Sequence, residues 1–278
     1  MSYHSLLGLK SEPFSISPDP AFFYRSPGHS SALQRLEINI RMKRGLSLIL
    51  GDVGTGKTTL GRVLLQSFQN EPEYEFHLIL NPLYQSEFQF LEALCKMFRL
   101  GSGGWRSTMD CLEALETYLY QKHAVEGKTT VLLVDEGQNL SLNLIEVLRS
   151  LLNYETNEHK LLQLVVLGQL EALPRFVRIR NFMDRVNMKY MINPFDPEET
   201  KKMIRYRLAQ SGLKPGQTLF TDEALAVIFD STQGYPRRVT FLCQRMLEEL
   251  LLRNKRMVDR SLAVEVAEME QVTTEIHS

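Results

Sequence analysis

A phosphate-binding pattern occupies Gly51–Arg62, with the sequence GDVGTGKTTLGR. It matches G-x-x-x-x-G-K-[ST], in which glycines let backbone N–H groups turn toward phosphate oxygens. Lys57 can then reach the β- and γ-phosphates, and Thr58 can hold Mg²⁺. A helix-start turn without a ligand is the alternative, but the preceding apolar run and the following helical stretch supply the context that the motif needs. The predicted nucleotide contacts are Gly51, Asp52, Val53, Gly54, Thr55, Gly56, Lys57, Thr58 and Thr59.

Two adjacent acids, Asp135 and Glu136, follow the apolar run TTVLLV. In an open parallel sheet, the carboxyl end of such a strand faces the nucleotide crevice. Asp135 is placed to bind the Mg²⁺ shell through water, and Glu136 to orient and polarise the attacking water. A solvated turn or a helix cap is the alternative, which the upstream phosphate loop disfavours. The second acid also argues against a small-molecule kinase or a GTPase.

Three further residues are candidates for the same site. Gln169 follows the apolar run LLQLVVLG. Its neutral amide can there hydrogen-bond the γ-phosphate or the attacking water. The alternative is that Gln169 simply begins the next helix. Arg185 precedes the last predicted strand, and its rigid fork suits a γ-phosphate bound to a neighbouring subunit. Arg237 lies in the first turn of a helix, where a cation opposes the helix dipole unless an anion is bound nearby.

Other residues near these candidates have simpler interpretations. A solvated helix face is the expected role of most cations in the basic stretch PRFVRIRNFMDRVNMKY. The region Phe14–Tyr24 and His29 could cover an adenine ring, although aromatic core packing explains them equally well. The glycine-rich stretch Leu100–Ser107 is interpreted as a connection between helices rather than as a second phosphate site.

Apolar runs alternate with amphipathic stretches, which predicts an α/β fold with a parallel five-stranded sheet and flanking helices. The third and fourth strands are continuous in Val and Leu, as expected for central strands. Strand signals stop near Asn193, so we expect an α/β nucleotide-binding domain at 1–194 and an all-helical lid at 195–278. The lid helices are expected to start at Asp196, Thr221, the Gly234–Pro236 turn, and Asp259 or Ser261. The predicted strands are Leu46–Leu50, Phe76–Leu80, Thr130–Val134, Leu162–Leu167 and Met188–Ile192.

Composition limits the possible settings of the protein. The 278 residues are 44% hydrophobic and 23% charged, with 32 basic and 33 acidic side chains and a net charge of −1. A balanced charge gives no overall attraction to nucleic acid or to an acidic membrane. The three cysteines lack metal or disulfide spacing, which favours reduced thiols in the cytoplasm. No apolar run approaches the ~18 residues of a membrane span, so we expect membrane attachment only through a partner.

These motifs occur in one order: the phosphate loop, the Asp-Glu strand end, the polar end of strand four, the arginine before strand five, and G-x-P-R in a helical lid. This order resembles that of the AAA+ ATPases. Longer stretches are similar to the ExeA/GspA family of secretion-associated ATPases, with the related MshM-like pilus and exosortase-locus ATPases. The similar stretches are PFSISPDPAFFYRSPGHSSALQRL, GDVGTGKTTL, LLVDEGQNLS, LRSLLNYET, KLLQLVVLGQLEAL and GYPRRVTFLCQRML.

The resemblance covers nearly the whole chain and implies an ATP loop, magnesium and water acids at Asp135 and Glu136, a sensor at Gln169 and a lid arginine at Arg237. Two departures are visible. Gly137 stands where the family is expected to have alanine, and Gln-Leu-Glu-Ala follows strand four in place of Gln-Pro-Glu-Leu. Neither removes a phosphate-contacting group. ExeA-type proteins continue into a membrane span and a peptidoglycan-binding domain, which the 278 residues here do not include. We therefore expect no peptidoglycan role for these 278 residues themselves.

The leading hypothesis is a cytoplasmic AAA+ ATPase that forms a homo-oligomeric ring or filament and hydrolyses ATP, with Mg²⁺, at an intersubunit site. It would assist the assembly of an envelope secretion, pilus or polysaccharide-export apparatus. The alternative is a DNA-bound transposition regulator of the TnsC/TniB type, for which RMKRG at 41–45 and KKMIRYR at 201–207 are candidate basic stripes. Both stretches can equally be solvated helix faces. A third hypothesis is a scaffold that binds ATP yet barely hydrolyses it.

Overall fold

The computed structural model describes residues 3–101 and 104–276. Part of the glycine-rich connection predicted at Leu100–Ser107 therefore lies outside the described residues. The chain forms two compact units. The sheet unit contains Gly28–Val53 and Leu60–Ile192, and the helical unit contains the described residues of Met1–Pro27, Gly54–Thr59 and Asn193–Ser278.

The sheet consists of parallel strands in the order β2-β3-β4-β1-β5. The five predicted strands are confirmed, with ends that differ by at most two residues. Every residue of β1, β3 and β4 is buried, whereas the edge strands β2 and β5 are partly exposed. The central placement expected for the third and fourth strands is therefore also confirmed. The strands are β1 Leu46–Gly51, β2 Tyr74–Ile79, β3 Thr129–Val134, β4 Leu162–Gly168 and β5 Val186–Ile192.

Helices connect the strands and form the rest of both units. In the sheet unit, close packing of helix on sheet depends on Gly61, because a Cβ there would lie 2.8 Å from Leu167 Cδ1. No helix within the described residues combines the length and apolarity needed to cross a membrane. The helices are α1 Tyr3–Leu6, α2 Pro27–Arg41, α3 Lys57–Ser67, α4 Glu87–Met97, α5 Thr108–Tyr120, α6 Leu142–Leu151, α7 Leu173–Arg178, α8 Pro197–Gln210, α9 Asp222–Thr232, α10 Pro236–Leu252 and α11 Arg260–Ile276.

The helical unit begins its helices where the sequence predicted. Asp196 and Glu199 form a capping box, in which each side chain accepts a hydrogen bond from the other residue's backbone N–H. Thr221 caps α9 through Ala224 N at 3.2 Å, and Pro236 occupies the first turn of α10. Of the two residues predicted as candidate caps of α11, Asp259 accepts a hydrogen bond from Leu262 N at 2.9 Å.

The amino-terminal segment packs into the helical unit. Phe14 is fully buried there and meets Phe220 edge to face, with ring centroids 6.2 Å apart. Arg207 of α8 is 9% exposed and donates hydrogen bonds to the backbone oxygens of Ser15 and Phe22 and to Thr240 Oγ1. The aromatic residue at position 14 is therefore part of the hydrophobic core.

Neither unit is one continuous stretch of the chain. The helical unit contains the carboxyl-terminal helices, as expected, together with the amino-terminal segment and Gly54–Thr59 of the phosphate loop. The domain boundary at 194/195 remains a prediction. The sequence did not indicate that the amino-terminal segment and part of the phosphate loop group with the carboxyl-terminal helices.

Candidate nucleotide site

The phosphate loop lies between the end of β1 at Gly51 and the start of α3 at Lys57. Gly54 and Gly56 have φ angles of 82° and 94°, in the left-handed region that side chains other than glycine rarely adopt. Thr55 is fully buried and Lys57 is 9% exposed. The backbone thus has the strand–turn–helix form that presents N–H groups and a helix amino terminus to an anion.

The first turn of α10 lies against the phosphate loop within the helical unit. Arg237 N donates a hydrogen bond to Gly54 O at 3.1 Å. A Cβ on Gly54 would lie 2.9 Å from Arg237 Cβ, so the contact requires glycine at that position. The guanidinium of the neighbouring Arg238 lies over the Tyr235 ring, 4.8 Å from its centroid. Of the two arginines in this turn, Arg237 is the one whose backbone meets the loop.

At the carboxyl end of β3, the two predicted acids have different surroundings. Asp135 is 4% exposed, and one of its carboxylate oxygens accepts a hydrogen bond from Glu136 N at 2.9 Å. Glu136 is half-buried and has the left-handed angles φ 53° and ψ 43°. A non-glycine residue in this region costs about 1–3 kcal/mol, and such residues cluster at functional sites. The chain therefore turns sharply at Glu136 and enters a short 3₁₀ helix, Gly137–Asn139.

Gln138 in that 3₁₀ helix links the ends of β3 and β4. Its Nε2 donates a hydrogen bond to Glu136 Oε2, and its Oε1 accepts one from Gln169 N at 3.2 Å. Its backbone oxygen accepts a hydrogen bond from Arg175 Nη1. Gln138 lies within the stretch LLVDEGQNLS, where its residue type and spacing do not indicate a role. Gln169 lies directly after β4, as predicted, and its backbone N–H joins it to the β3 end.

Gly137 allows this turn to pack closely on β4. A Cβ at this position would lie 2.6 Å from Val166 Cγ1 and 3.2 Å from Leu167 O. The departure from the expected alanine at 137 thus has a physical cause in this chain, because the space is filled by Val166.

Arg185 lies at the opposite end of the sheet from these groups. It ends the 3₁₀ helix Met183–Arg185 and directly precedes β5, whereas Asp135 and Gln169 follow the carboxyl ends of β3 and β4. Because the strands are parallel and β5 has 7 residues, the two edges are separated by roughly 20 Å. Arg185 Nε is buried without a hydrogen-bond partner among the described residues. The structure therefore does not bring Arg185 to the acids of its own sheet.

The basic stretches considered for DNA binding use many of their charges within the chain. Arg41 forms two hydrogen bonds with Glu71, at 2.7 and 2.6 Å, and stacks on Phe68. In α8, Lys201 pairs with Glu198, Arg205 pairs with Asp222, and Arg207 is buried. Burial withdraws Arg207 from any contact with a DNA backbone, whereas exposed ion pairs contribute only about 0–1 kcal/mol and do not prevent one. These stretches give the transposition hypothesis no support, and DNA binding remains a prediction.

Comparison with known proteins agrees with the fold. A family model described as "AAA domain" matches residues 40–176. The structure superposes on ORC2 from Aeropyrum pernix with a TM-score of 0.65 and 15% identity, covering 88% of this chain and 67% of that one. It superposes on Drosophila ORC with a TM-score of 0.69 and 20% identity, covering 95% of this chain and 65% of that one. At these identities the likeness shows the fold.

The fold and the family match define the chain as an AAA+ P-loop protein. Its sequence is 36% identical over 247 residues to General secretion pathway protein A of Aeromonas hydrophila. The chain is thus similar to a GspA/ExeA protein over most of its length, which confirms the resemblance inferred from the motifs. The match covers 88% of this chain and 44% of that protein, so the chain spans less than half the length of its relative.

Proposed function

We propose that the protein hydrolyses ATP to ADP and phosphate. The observation that carries this proposal is the arrangement around β3 and β4. A buried aspartate and a half-buried glutamate follow β3, and Gln138 joins the glutamate to the residue after β4, in a sheet whose β1 leads into the phosphate loop. The residues fit a magnesium nucleotide, because Mg²⁺ takes oxygen ligands and is usually held by one or two protein groups, phosphates and waters. Thr58 and Asp135 would hold it, and when bound it would neutralise phosphate charge.

Each proposed site residue has a task that follows from its chemistry. The loop N–H groups and Lys57 bind the phosphates, and the exposed Arg237 reaches them from α10. Glu136 orients the attacking water and accepts its proton, while the bond between the γ-phosphorus and the bridging oxygen breaks. Gln169 holds the water or the γ-phosphate through its neutral amide. ATP and water are consumed, and ADP and phosphate leave.

Replacing Glu136 tests the chemistry directly. The substitution Glu136→Gln should preserve binding of a fluorescent ATP analogue and lower kcat about 100-fold or more, because the amide cannot accept the proton. Glu171→Gln, an isosteric change of an exposed carboxylate beyond β4, is the matched control and should leave kcat unchanged. Lys57→Ala should instead abolish nucleotide binding. Full turnover by Glu136→Gln would remove that acid from the mechanism.

Arg185 is proposed to complete the site of a neighbouring copy in a homo-oligomer. Its place at the amino end of β5 supports this proposal, since it lies far from the acids of its own sheet. Arg185→Ala and Glu136→Gln should each be inactive alone. Mixed in equal amounts, they should recover about a quarter of the sites, because in a head-to-tail assembly an interface can combine the intact Glu136 of one copy with the intact Arg185 of the next. No recovery in mixed assemblies would show that the arginine does not act across the interface.

The cellular role is proposed from the relative named General secretion pathway protein A. We propose that ATP turnover assists the assembly of an envelope apparatus for secretion, pilus formation or polysaccharide export, and that the protein works from the cytoplasmic side through a partner. Loss of secretion, piliation or polysaccharide export in cells carrying Glu136→Gln, with normal protein levels, is the expected result. Stimulation of the ATPase by duplex DNA, with a steep dependence on salt, would instead favour the transposition hypothesis.

A further inference from the structure

Gln138 occupies a position from which it can control the geometry of Glu136. Its amide joins a carboxylate on one side to a backbone N–H at the start of the segment after β4 on the other. The amide oxygen can only accept hydrogen bonds and the amide nitrogen can only donate them. Accepting from Gln169 N therefore fixes which way the amide faces and directs its N–H group toward Glu136.

The backbone around Gln138 is held from two directions. Arg175 of α7 donates a hydrogen bond to the Gln138 carbonyl, and the neighbouring Asn139 donates to Asn81 Oδ1, beyond β2, at 2.9 Å. Gly137 packs against β4 with no room for a Cβ. The amide is thus carried by a short turn tied to the segments after β2 and β4. A group held in this way is preorganised, since its orientation is set before substrate binds.

The carboxylate of Glu136 needs such support. Glu136 has left-handed backbone angles at the turn that leaves β3. Its side chain therefore does not follow the regular alternation of side chains along the strand. A carboxylate offers about four lone-pair positions, and the Gln138 amide uses one of them. The remaining positions stay available to orient a water molecule, so the bond can fix the carboxylate without blocking its proposed task.

We propose that Gln138 is a positioning residue for ATP hydrolysis, which holds the Glu136 carboxylate in its working orientation by tying it to the first residue after β4. This inference rests on the proposed function, in which Glu136 activates water. It also gives Arg175 a role, since that arginine holds the turn that carries Gln138. A change at the β4 end is then transmitted to the carboxylate through a single side chain.

The test replaces Gln138 with Met, which keeps the length of the side chain and removes both hydrogen bonds. Turnover should fall about 10- to 100-fold, as is typical when the partner that orients a reacting group is lost. The dissociation constant for the ATP analogue should stay within about twofold, because no phosphate contact is removed. Gln138→Ala is the second variant, in case methionine repacks the turn.

Gln163→Met provides a matched control in the same sheet. Gln163 is also an amide that bridges two backbone groups, accepting from Gly45 N at 2.8 Å and donating to Lys160 O at 2.8 Å, but it lies near the amino end of β4. Its loss should lower stability and leave kcat per folded molecule within about threefold of the wild type. The double variant Glu136→Gln with Gln138→Met should be no slower than Glu136→Gln alone, because both changes act through one group.

The outcomes separate the two proposals. If Glu136→Gln stops turnover while both Gln138 variants keep it or increase it, the positioning role is wrong and the hydrolytic site stands. A further loss in the double variant, or an equal loss in Gln163→Met, also overturns the positioning role. If Glu136→Gln hydrolyses ATP normally, Glu136 does not activate the water and the positioning role of Gln138 fails with it, whereas ATP hydrolysis by the protein stands.

Discussion

Replacing Arg207 with Met should release the amino-terminal segment from the helical unit. The guanidinium donates to Phe22 O at 3.2 Å, Ser15 O at 3.3 Å and Thr240 Oγ1 at 3.1 Å. Methionine retains most of the apolar stem and removes every donor. Thr240 keeps a second partner, because its hydroxyl also donates to Pro236 O. Ser15 O and Phe22 O therefore lose the hydrogen bonds that they accept from the guanidinium.

The size of the effect follows from those two oxygens. Leaving a fully buried acceptor unpaired costs about 1–3 kcal/mol, so two would cost about 2–6 kcal/mol, an upper limit here because Ser15 and Phe22 are half-buried. Two effects reduce this value. Burial lowers the pKa of Arg207 from its ordinary range, which shows that its surroundings disfavour the charge, and the segment can move its oxygens into water. We therefore expect the free energy of unfolding to fall by about 2–4 kcal/mol.

Urea unfolding followed by circular dichroism measures this change, and limited trypsin digestion at Lys10 and Arg25 reports release of the segment. Arg205→Met is the matched control on the same helix. Its side chain is 62% exposed and pairs with Asp222 at 2.7 Å, and such surface pairs contribute about 0–1 kcal/mol. Equal losses in the two variants, or an Arg207→Met protein as stable and as protease-resistant as the wild type, would refute the assigned role of Arg207.

Three further changes test the packing. Gly234→Ala should lower the free energy of unfolding by about 4 kcal/mol or more, because a Cβ would lie 1.9 Å from Phe195 O at a φ of 70°. Thermal melts should then show an unfolded helical unit, and a stable variant would contradict this. Gly137→Ala should lower the free energy of unfolding by about 1–3 kcal/mol through its clash with Val166. In urea titrations, the double variant Gly137→Ala with Val166→Ala should lose less stability than the two single variants added together. Simple additivity would argue against the clash. Burial lowers the pKa of His77 from 6.5, so the folded protein resists a proton that the unfolded chain accepts, and stability should be lost as the pH falls through about 6.5. His77→Phe should reduce that loss between pH 7.5 and 5.5, and an unchanged pH dependence would exclude His77 as its source.

Local signals predicted much of the fold. Continuous Val and Leu runs located the buried strands, because a strand covered on both faces needs apolar residues at every position. Side-chain caps at Asp196 and Thr221 were recognisable, since each satisfies backbone N–H groups within three residues. The phosphate loop could be located by spacing because its glycines are required by the local backbone.

Contacts between distant residues were not predicted. Arg207 was considered as part of a basic stripe, yet it occupies the buried face of α8 with Met203, Ile204 and Leu208. The spacing of that face was a signal, since residues three, four and seven or eight apart share one side of a helix. The role of Gln138 had no such signal, because it depends on the left-handed turn at Glu136 and on the pairing of β3 with β4.

The position of the amino-terminal segment has a consequence for biosynthesis. Ser15 and Arg207 are 192 residues apart in sequence and hydrogen-bonded in the folded protein. A ribosome adding 5–20 residues per second needs roughly 10–40 s to supply the partner. During that interval the nascent segment, with Phe14 among its apolar side chains, has no helical unit to bury it. The segment therefore leaves the ribosome long before the helices that bury it, and we expect a chaperone that binds nascent apolar segments to engage it.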